Sequence, residues 1–327
     1  MRAAWYEKNG PAREVLCTGG LPKPQPAAGE VLVRLHFSGV NPTDVKRRAG
    51  ERGPLQFARA IPGFDGAGII EAVGEDVSPT RVGERVWIWE AHKDRWTGSA
   101  AEFAVVRSSR AVSLPGSASF ETGAALGVPA LTAWRALSMG GDLQDRTVLV
   151  TGAAGAVGHC AVQLARHMGA EVIATVRGQD RRESVRAAGA SHIVDPTGAS
   201  LKDAVLELTS GRGADHMVDV DLGAHVADAW RYVALNGSIA SYASATNPAP
   251  VLPFVKYMYR NISLHGVAVF EIPEAAKLNA VAVVQDALSA GALSPNIDRI
   301  YALDDIAGAH EHQESGQARG KILIRLE

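Results

Sequence analysis

The segment from Thr147 to Gly158 restricts the fold more than any other part of this 327-residue chain. Thr147-Val148-Leu149-Val150 is an apolar run without a polar face, which reads as a strand buried on both sides. It leads straight into Gly152-Ala153-Ala154-Gly155-Ala156-Val157-Gly158, and a helical stretch over 157–168 comes next. Strand, glycine-punctuated turn and helix in this order predict a dinucleotide-binding turn. Gly152 permits the tight turn, Gly155 lets the backbone approach a pyrophosphate, and Gly158 lets the helix pack on the strand. The phosphates then sit over N–H groups around Ala154, Ala156 and Val157, at the positive end of the helix dipole.

The chain beyond the turn agrees with it. Strands over 171–176, 192–194, 216–220, 237–241 and 262–267 alternate with helices over 180–188 and 201–208. That alternation predicts a parallel, doubly wound sheet. The first third of the chain differs. Short runs over 31–37, 68–73, 85–89 and 101–106 are separated by Gly and Pro, the pattern of a β-barrel or sandwich. Residues 121–139 read as a helix interrupted at Pro129. The tail mixes helices over 275–290 and 304–314 with strands over 299–301 and 321–326. The expected class is therefore α/β: a barrel domain over 1–120 completed by 271–327, and a nucleotide-binding domain over 121–270.

The second strand of the alternation ends Ala174-Thr175-Val176-Arg177-Gly178. An NAD site places an acid there for the ribose hydroxyls, and this chain has none. Arg177 stands at the tip and Arg181 opens the next helix, where guanidinium groups suit a phosphate on the ribose. Asp180 reads as the helix N-cap with Glu183 reaching back to it, and Arg182 as surface. The expected cofactor is NADPH.

A net charge of −2 excludes a basic nucleic-acid surface. No apolar stretch approaches the length of a membrane span, and the N-terminus lacks a signal-peptide core. Cys17 and Cys160 lie far apart and read as free thiols. A cytoplasmic protein is expected.

Several stretches resemble the medium-chain dehydrogenase/reductases, and within them the quinone oxidoreductases related to zeta-crystallin. They are Gly39-Val40-Asn41-Pro42-Thr43-Asp44, the run from Pro62 to Gly74, Gly127-Val128-Pro129-Ala130-Leu131-Thr132-Ala133-Trp134, the glycine turn, and the ending from Ala309 to Leu323. The resemblance spans nearly the whole chain. It implies a GroES-like catalytic barrel beside a Rossmann domain, nicotinamide in a cleft between them, and a homodimer, for which the apolar strand over 262–269 offers a sheet edge.

Zinc-dependent relatives carry Cys in place of Asn41 and a Gly-His-Glu run in place of Gly63-Phe64-Asp65. Phe64 has no metal donor, and residues 89–111 lack the cysteines of a structural zinc loop. No metal is expected, which disfavours alcohol oxidation and leaves hydride transfer to a quinone or conjugated enone. The resemblance implies that Asn41 touches the nicotinamide ribose or the acceptor and that Thr132 approaches the nicotinamide. It places Ser241 and Tyr242 along the cofactor path, Val269 and Phe270 at the carboxamide through backbone groups, and Lys321 in the segment crossing the cleft.

Lys46 and Arg52 stand where relatives often carry Tyr. Either would polarise the acceptor carbonyl or attract an anionic substituent, unless both point to solvent. Trp87 and Trp89 read first as core and second as a wall for a flat ring. His92, Tyr257 and Tyr259 are candidate proton donors. The competing reading is an NADPH-binding structural or regulatory protein with little catalysis.

Overall fold

The computed structural model describes residues 1–196 and 200–326; residue 327, the last of the expected barrel domain, lies outside them. The strands in chain order are β1 (Arg2–Trp5), β2 (Cys17–Gly20), β3 (Glu30–Val40), β4 (Asp65–Val73), β5 (Arg85–Ile88), β6 (Phe103–Arg107), β7 (Ala111–Ser113), β8 (Thr147–Val150), β9 (Glu171–Thr175), β10 (His192–Val194), β11 (Ala214–Asp219), β12 (Val233–Ser241), β13 (Ser263–Gly266), β14 (Ile297–Ala302) and β15 (Lys321–Arg325). The chain divides into two compact units, Met1–Val128 with Pro295–Glu327, and Pro129–Ser294.

These divisions fall later than the sequence boundaries of 120 and 270. Helix Phe120–Ala124 belongs to the first unit because Gly123 lets it press on the sheet. A Cβ there would come within 2.8 Å of the Ala67 Cβ. Helix Glu274–Ser289 stays with the second unit, burying Ala280, Val284, Ala287 and Leu288 and packing on helix Ala156–His167.

In the first unit, β3 organises everything. One edge pairs antiparallel with β4, while the other is shared, Glu30–Arg34 with β6 and Phe37–Val40 with β15. Two bulges against β4 bend the strand so that a single element serves three neighbours. Val31, Val33 and Leu35 alternate into an apolar core with Ile70, Val86, Ile88 and Ile322.

The second unit is a six-stranded parallel sheet in the order β10-β9-β8-β11-β12-β13. Strand order reverses between β8 and β11, so the mouth above their C-terminal ends is the place for a ligand. Two local expectations need correction. The helical stretch breaks at Ala125–Leu126 rather than at Pro129, which sits in the first turn of helix Gly127–Ser138, where its missing N–H is not required. Asp180 does not cap a helix; it lies in a 3-10 turn, Gln179–Arg181, and the following helix Arg182–Ala187 has no side-chain cap.

Candidate active site

The glycine turn is built as its residue types require. Gly152 takes φ +64° and donates its N–H to Thr175 Oγ1 at 3.1 Å, locking the turn to the end of β9. At Gly158 an added Cβ would sit 2.3 Å from the Gly152 carbonyl oxygen, so the glycine is demanded by packing. Gly155 differs. It caps the 12-residue helix Ala156–His167 with φ −79° and ψ 166°, and an added Cβ would meet only the Gly152 oxygen, at 3.4 Å. Its outer face is open. Open backbone at a helix N-terminus fits an anionic pyrophosphate.

A buried network that the sequence alone does not reveal supports this turn. The Asp219 carboxylate, fully buried at the end of β11, accepts from Thr151 Oγ1 at 2.9 Å and, on its other oxygen, from Ser241 Oγ at 3.1 Å. His225 Nδ1 lies 2.7 Å from the oxygen that Thr151 uses. Thr151 Oγ1 in turn accepts from the Val220 N–H at 2.9 Å. One carboxylate thus ties together the C-terminal ends of β8, β11 and β12. Ser241 is spent on this tie. Tyr242 donates its N–H to the Asp219 carbonyl, and burial beside Asp219 pushes its phenol pKa upward.

Arg177 comes just after β9 and is exposed; Arg181 is half-buried in the next turn. Among the described residues neither makes an ion pair, whereas Arg182 faces Asp195 at 3.8 Å. Thr132 is buried on helix Gly127–Ser138. Val269 and Phe270 lie in the 3-10 turn Val269–Glu271, and the Phe270 carbonyl accepts from Lys277 Nζ at 2.9 Å.

In the first unit the structure brings Asn41 and Lys321 together around Asp65. Lys321 Nζ donates to Asp65 Oδ2 at 2.6 Å and to Asn41 Oδ1, and Asn41 Nδ2 donates to the same Asp65 oxygen at 2.8 Å. The other Asp65 oxygen accepts the Val128 N–H at 2.8 Å. Asn41 precedes helix Pro42–Ala49, and Asp44 reaches back to its N–H at 2.8 Å while also accepting from Gly63 N at 3.0 Å. Burial, and next the Asp65 carboxylate, push the Asp44 pKa up to about 7 against the opposing pull of Lys321 and the two N–H donors. Lys321 is therefore an internal counter-ion. The cluster does not suit zinc: Phe64 offers no donor, an ammonium covers Asp65, and no three metal-ligating side chains converge among the described residues.

Trp87 and Trp89 are core, not a pocket wall; Arg110 stacks on Trp89 at 3.8 Å. Tyr257 is also core, its hydroxyl donating to the Val226 carbonyl, whereas Tyr259 is exposed. Arg52 lines an open recess with Tyr6, Arg47, Phe57, His92 and Arg95, and Lys46 does not. Arg47, which no sequence pattern singles out, lies over the Phe64 ring at 5.2 Å. Burial, and then Arg47, lower the His92 pKa to about 4, so its imidazole is neutral.

Residues 27–116 match the alcohol dehydrogenase GroES-like domain, and residues 156–285 match the family described as zinc-binding dehydrogenase. The quinone oxidoreductase of Sus scrofa is 30% identical over 305 residues, covering 93% of this chain and 91% of that protein. The Homo sapiens quinone oxidoreductase is 29% identical over 309 residues, with the same coverage of 93% and 91%. Among solved structures, an NAD-dependent alcohol dehydrogenase superposes with a TM-score of 0.91 at 28% identity, over 100% of both chains. A mycobacterial protein complexed with NADPH gives 0.86 at 27% identity, over 99% of this chain and 100% of that one. The chain belongs to the quinone oxidoreductase family of the medium-chain dehydrogenase/reductases, and with it to the oxidoreductase enzymes.

Proposed function

We propose that the protein is a zinc-free, NADPH-dependent reductase that transfers hydride to a quinone or a conjugated enone. The observation that carries this reading is the open Gly155 face of the turn beside Arg177 and Arg181, which make no ion pair among the described residues. The helix N-terminus binds the pyrophosphate through Gly155, Ala156 and Val157, with Gly152, Ala154 and Gly158 shaping the turn. The two guanidiniums bind the ribose phosphate. Thr132, Ser241, Tyr242, Val269 and Phe270 complete the cofactor side.

When bound, the nicotinamide supplies the hydride; reduction of an enone leaves it on the β-carbon and a solvent proton on the α-carbon. On the acceptor side, Asn41 keeps one amide hydrogen beyond the one it gives to Asp65, and Arg52 lines the recess without an ion pair among the described residues. Asn41 is the group offered to the developing oxyanion, while Lys46 and Arg52 either assist it or attract an anionic substituent of the acceptor. Lys321 positions Asn41 by holding its carbonyl oxygen.

The test monitors oxidation of NADPH and NADH by a panel of quinones and enones in the presence of a metal chelator. Turnover should survive chelation, and Arg177→Ser should lower kcat/KM for NADPH about 30-fold while moving NADH less than about threefold. Activity lost on chelation and restored by zinc would sink the zinc-free reading. NADPH binding without turnover of any acceptor would favour a structural or regulatory role.

The assembly we propose is a homodimer. Strand β13 is a sheet edge, and the helix leading into it, Phe254–Tyr259, exposes Phe254, Val255, Met258 and Tyr259. Such a patch beside an open edge suits a second copy of the same chain. Replacing Phe254 and Val255 together by Glu should halve the sedimenting mass; a variant that stays dimeric rules this edge out. Cys17 and Cys160, neither of them in a disulfide among the described residues, fit a reducing cytoplasm, and no helix among the described residues is long and apolar enough to cross a membrane.

A further inference from the structure

The recess in the first unit has a charge balance that family membership does not explain. It lies against the C-terminal half of helix Pro42–Ala49, the segment around Arg52–Phe57, and the loop carrying His92 and Arg95. Three guanidiniums reach it. Arg95 is already compensated, donating to Glu30 at 3.1 Å and to the Val105 carbonyl at 2.9 Å. Arg47 and Arg52 make no ion pair with any described residue. One carboxylate, exposed Asp94, also lines the recess. His92 adds no charge, since burial and Arg47 keep it neutral.

Two uncompensated guanidiniums set against one exposed carboxylate leave room for a single negative charge. A guanidinium recognises a carboxylate through paired, charge-assisted bonds. Tyr6, Leu55 and Phe57 supply apolar and aromatic surface on the same lining, suited to the flat body that carries the charge. The helix also connects this recess to the buried cluster. Asn41 precedes its first turn and Arg47 comes six positions later, a displacement of about 9 Å along the axis at the usual rise per residue. That spans a small conjugated molecule.

We infer that the recess is a subsite for a carboxylate, so that the acceptors of this reductase are conjugated ketones bearing a single carboxylate, bound by Arg47 and Arg52. The inference rests on the reductase reading above. The net capacity of one charge favours a carboxylate over a doubly charged phosphate.

The test compares benzoylacrylate, an aryl enone carrying a carboxylate, with its methyl ester. Binding is measured by calorimetry, and turnover by NADPH oxidation. The wild-type protein should bind the acid at least about tenfold more tightly than the ester. Arg47→Met and Arg52→Met should each bring that ratio towards one. The ratio is read within each variant, so a general loss of affinity does not mimic the effect. Thermal unfolding of both variants checks that they fold.

Inorganic phosphate, added as a competitor, should displace the acid less effectively than benzoate does. Equal binding of acid and ester by the wild-type protein overturns the inference, as does a ratio preserved in both variants, or phosphate outcompeting benzoate. Tight, arginine-dependent binding of the acid without NADPH oxidation keeps the subsite and counts against the reductase reading instead. Because Arg47 lowers the His92 pKa, a carboxylate docked on Arg47 should also raise it. The His92 ring resonances, followed by NMR through a pH titration, read that shift directly.

Discussion

Gly155→Val should weaken NADPH binding at least about 100-fold while lowering Tm by no more than about 4 °C. The two effects separate because the position is unusual among the glycines of the turn. Its φ of −79° suits any residue, and a Cβ there meets only one protein atom, at 3.4 Å. The fold therefore tolerates a side chain, and the steric cost falls on whatever approaches the helix N-terminus from outside. Valine covers the amides that a pyrophosphate would use. Gly158→Val is the control with the opposite signature. There the Cβ would lie 2.3 Å from the Gly152 oxygen and 2.8 Å from the Ala153 Cα, so the turn itself has to open and the protein should lose its cooperative unfolding. Titration of NADPH by fluorescence and thermal unfolding on both variants decide the matter. A Gly155→Val protein that binds NADPH like the wild type would remove this turn from the cofactor site.

Lys321→Met should cost about 3–5 kcal/mol of stability, read as a shift in urea midpoint. The pair lies deep: the Lys321 and Asp65 side chains are 2% and 0% exposed. Removing the ammonium leaves Asp65 with only the Asn41 amide and the Val128 N–H for its charge. The loss also reaches Asp44, since Lys321 is among the groups holding its pKa down; that pKa rises further, and stability is lost more steeply as pH increases. Adding Asp65→Asn to the Lys321→Met protein should recover more than half of the loss, because an amide needs no counter-charge. A single-variant loss below about 1 kcal/mol would mean that the ion pair does not hold the unit together.

The parts of this structure legible in the sequence are those set by neighbours along the chain. The strand before Gly152, the helix opening after Gly155 and the strand–helix alternation downstream depend on short-range periodicity, and each is present in the fold. The Asp219 tie was not legible. Thr151, Asp219 and Ser241 converge only once β8, β11 and β12 lie side by side in that order. The same holds for Lys321, whose partner Asp65 is 256 positions away. In the recess, departure from relatives picks out Arg52 but not Arg47. Successive residues on a helix face about 100° apart, and only the folded helix shows that Arg47 lines the recess. Trp87 and Trp89 share one face of an extended segment, and that face is buried.

The divided outer edge of β3 also sets an order of events when the polypeptide is made. Residues 37–40 cannot gain their second neighbour until residues 322–325 leave the ribosome. The nucleotide-binding unit between them is continuous, so it has all its strands while the first unit still lacks β14 and β15. Asp65 is likewise synthesised long before the ammonium that neutralises it. During that interval the nascent first unit holds an open strand edge and an uncompensated acid, which is the stage at which a chaperone or a protease would recognise it. A chain truncated just before Lys321 and released from the ribosome should thus carry a finished dinucleotide-binding unit tethered to a protease-sensitive partner.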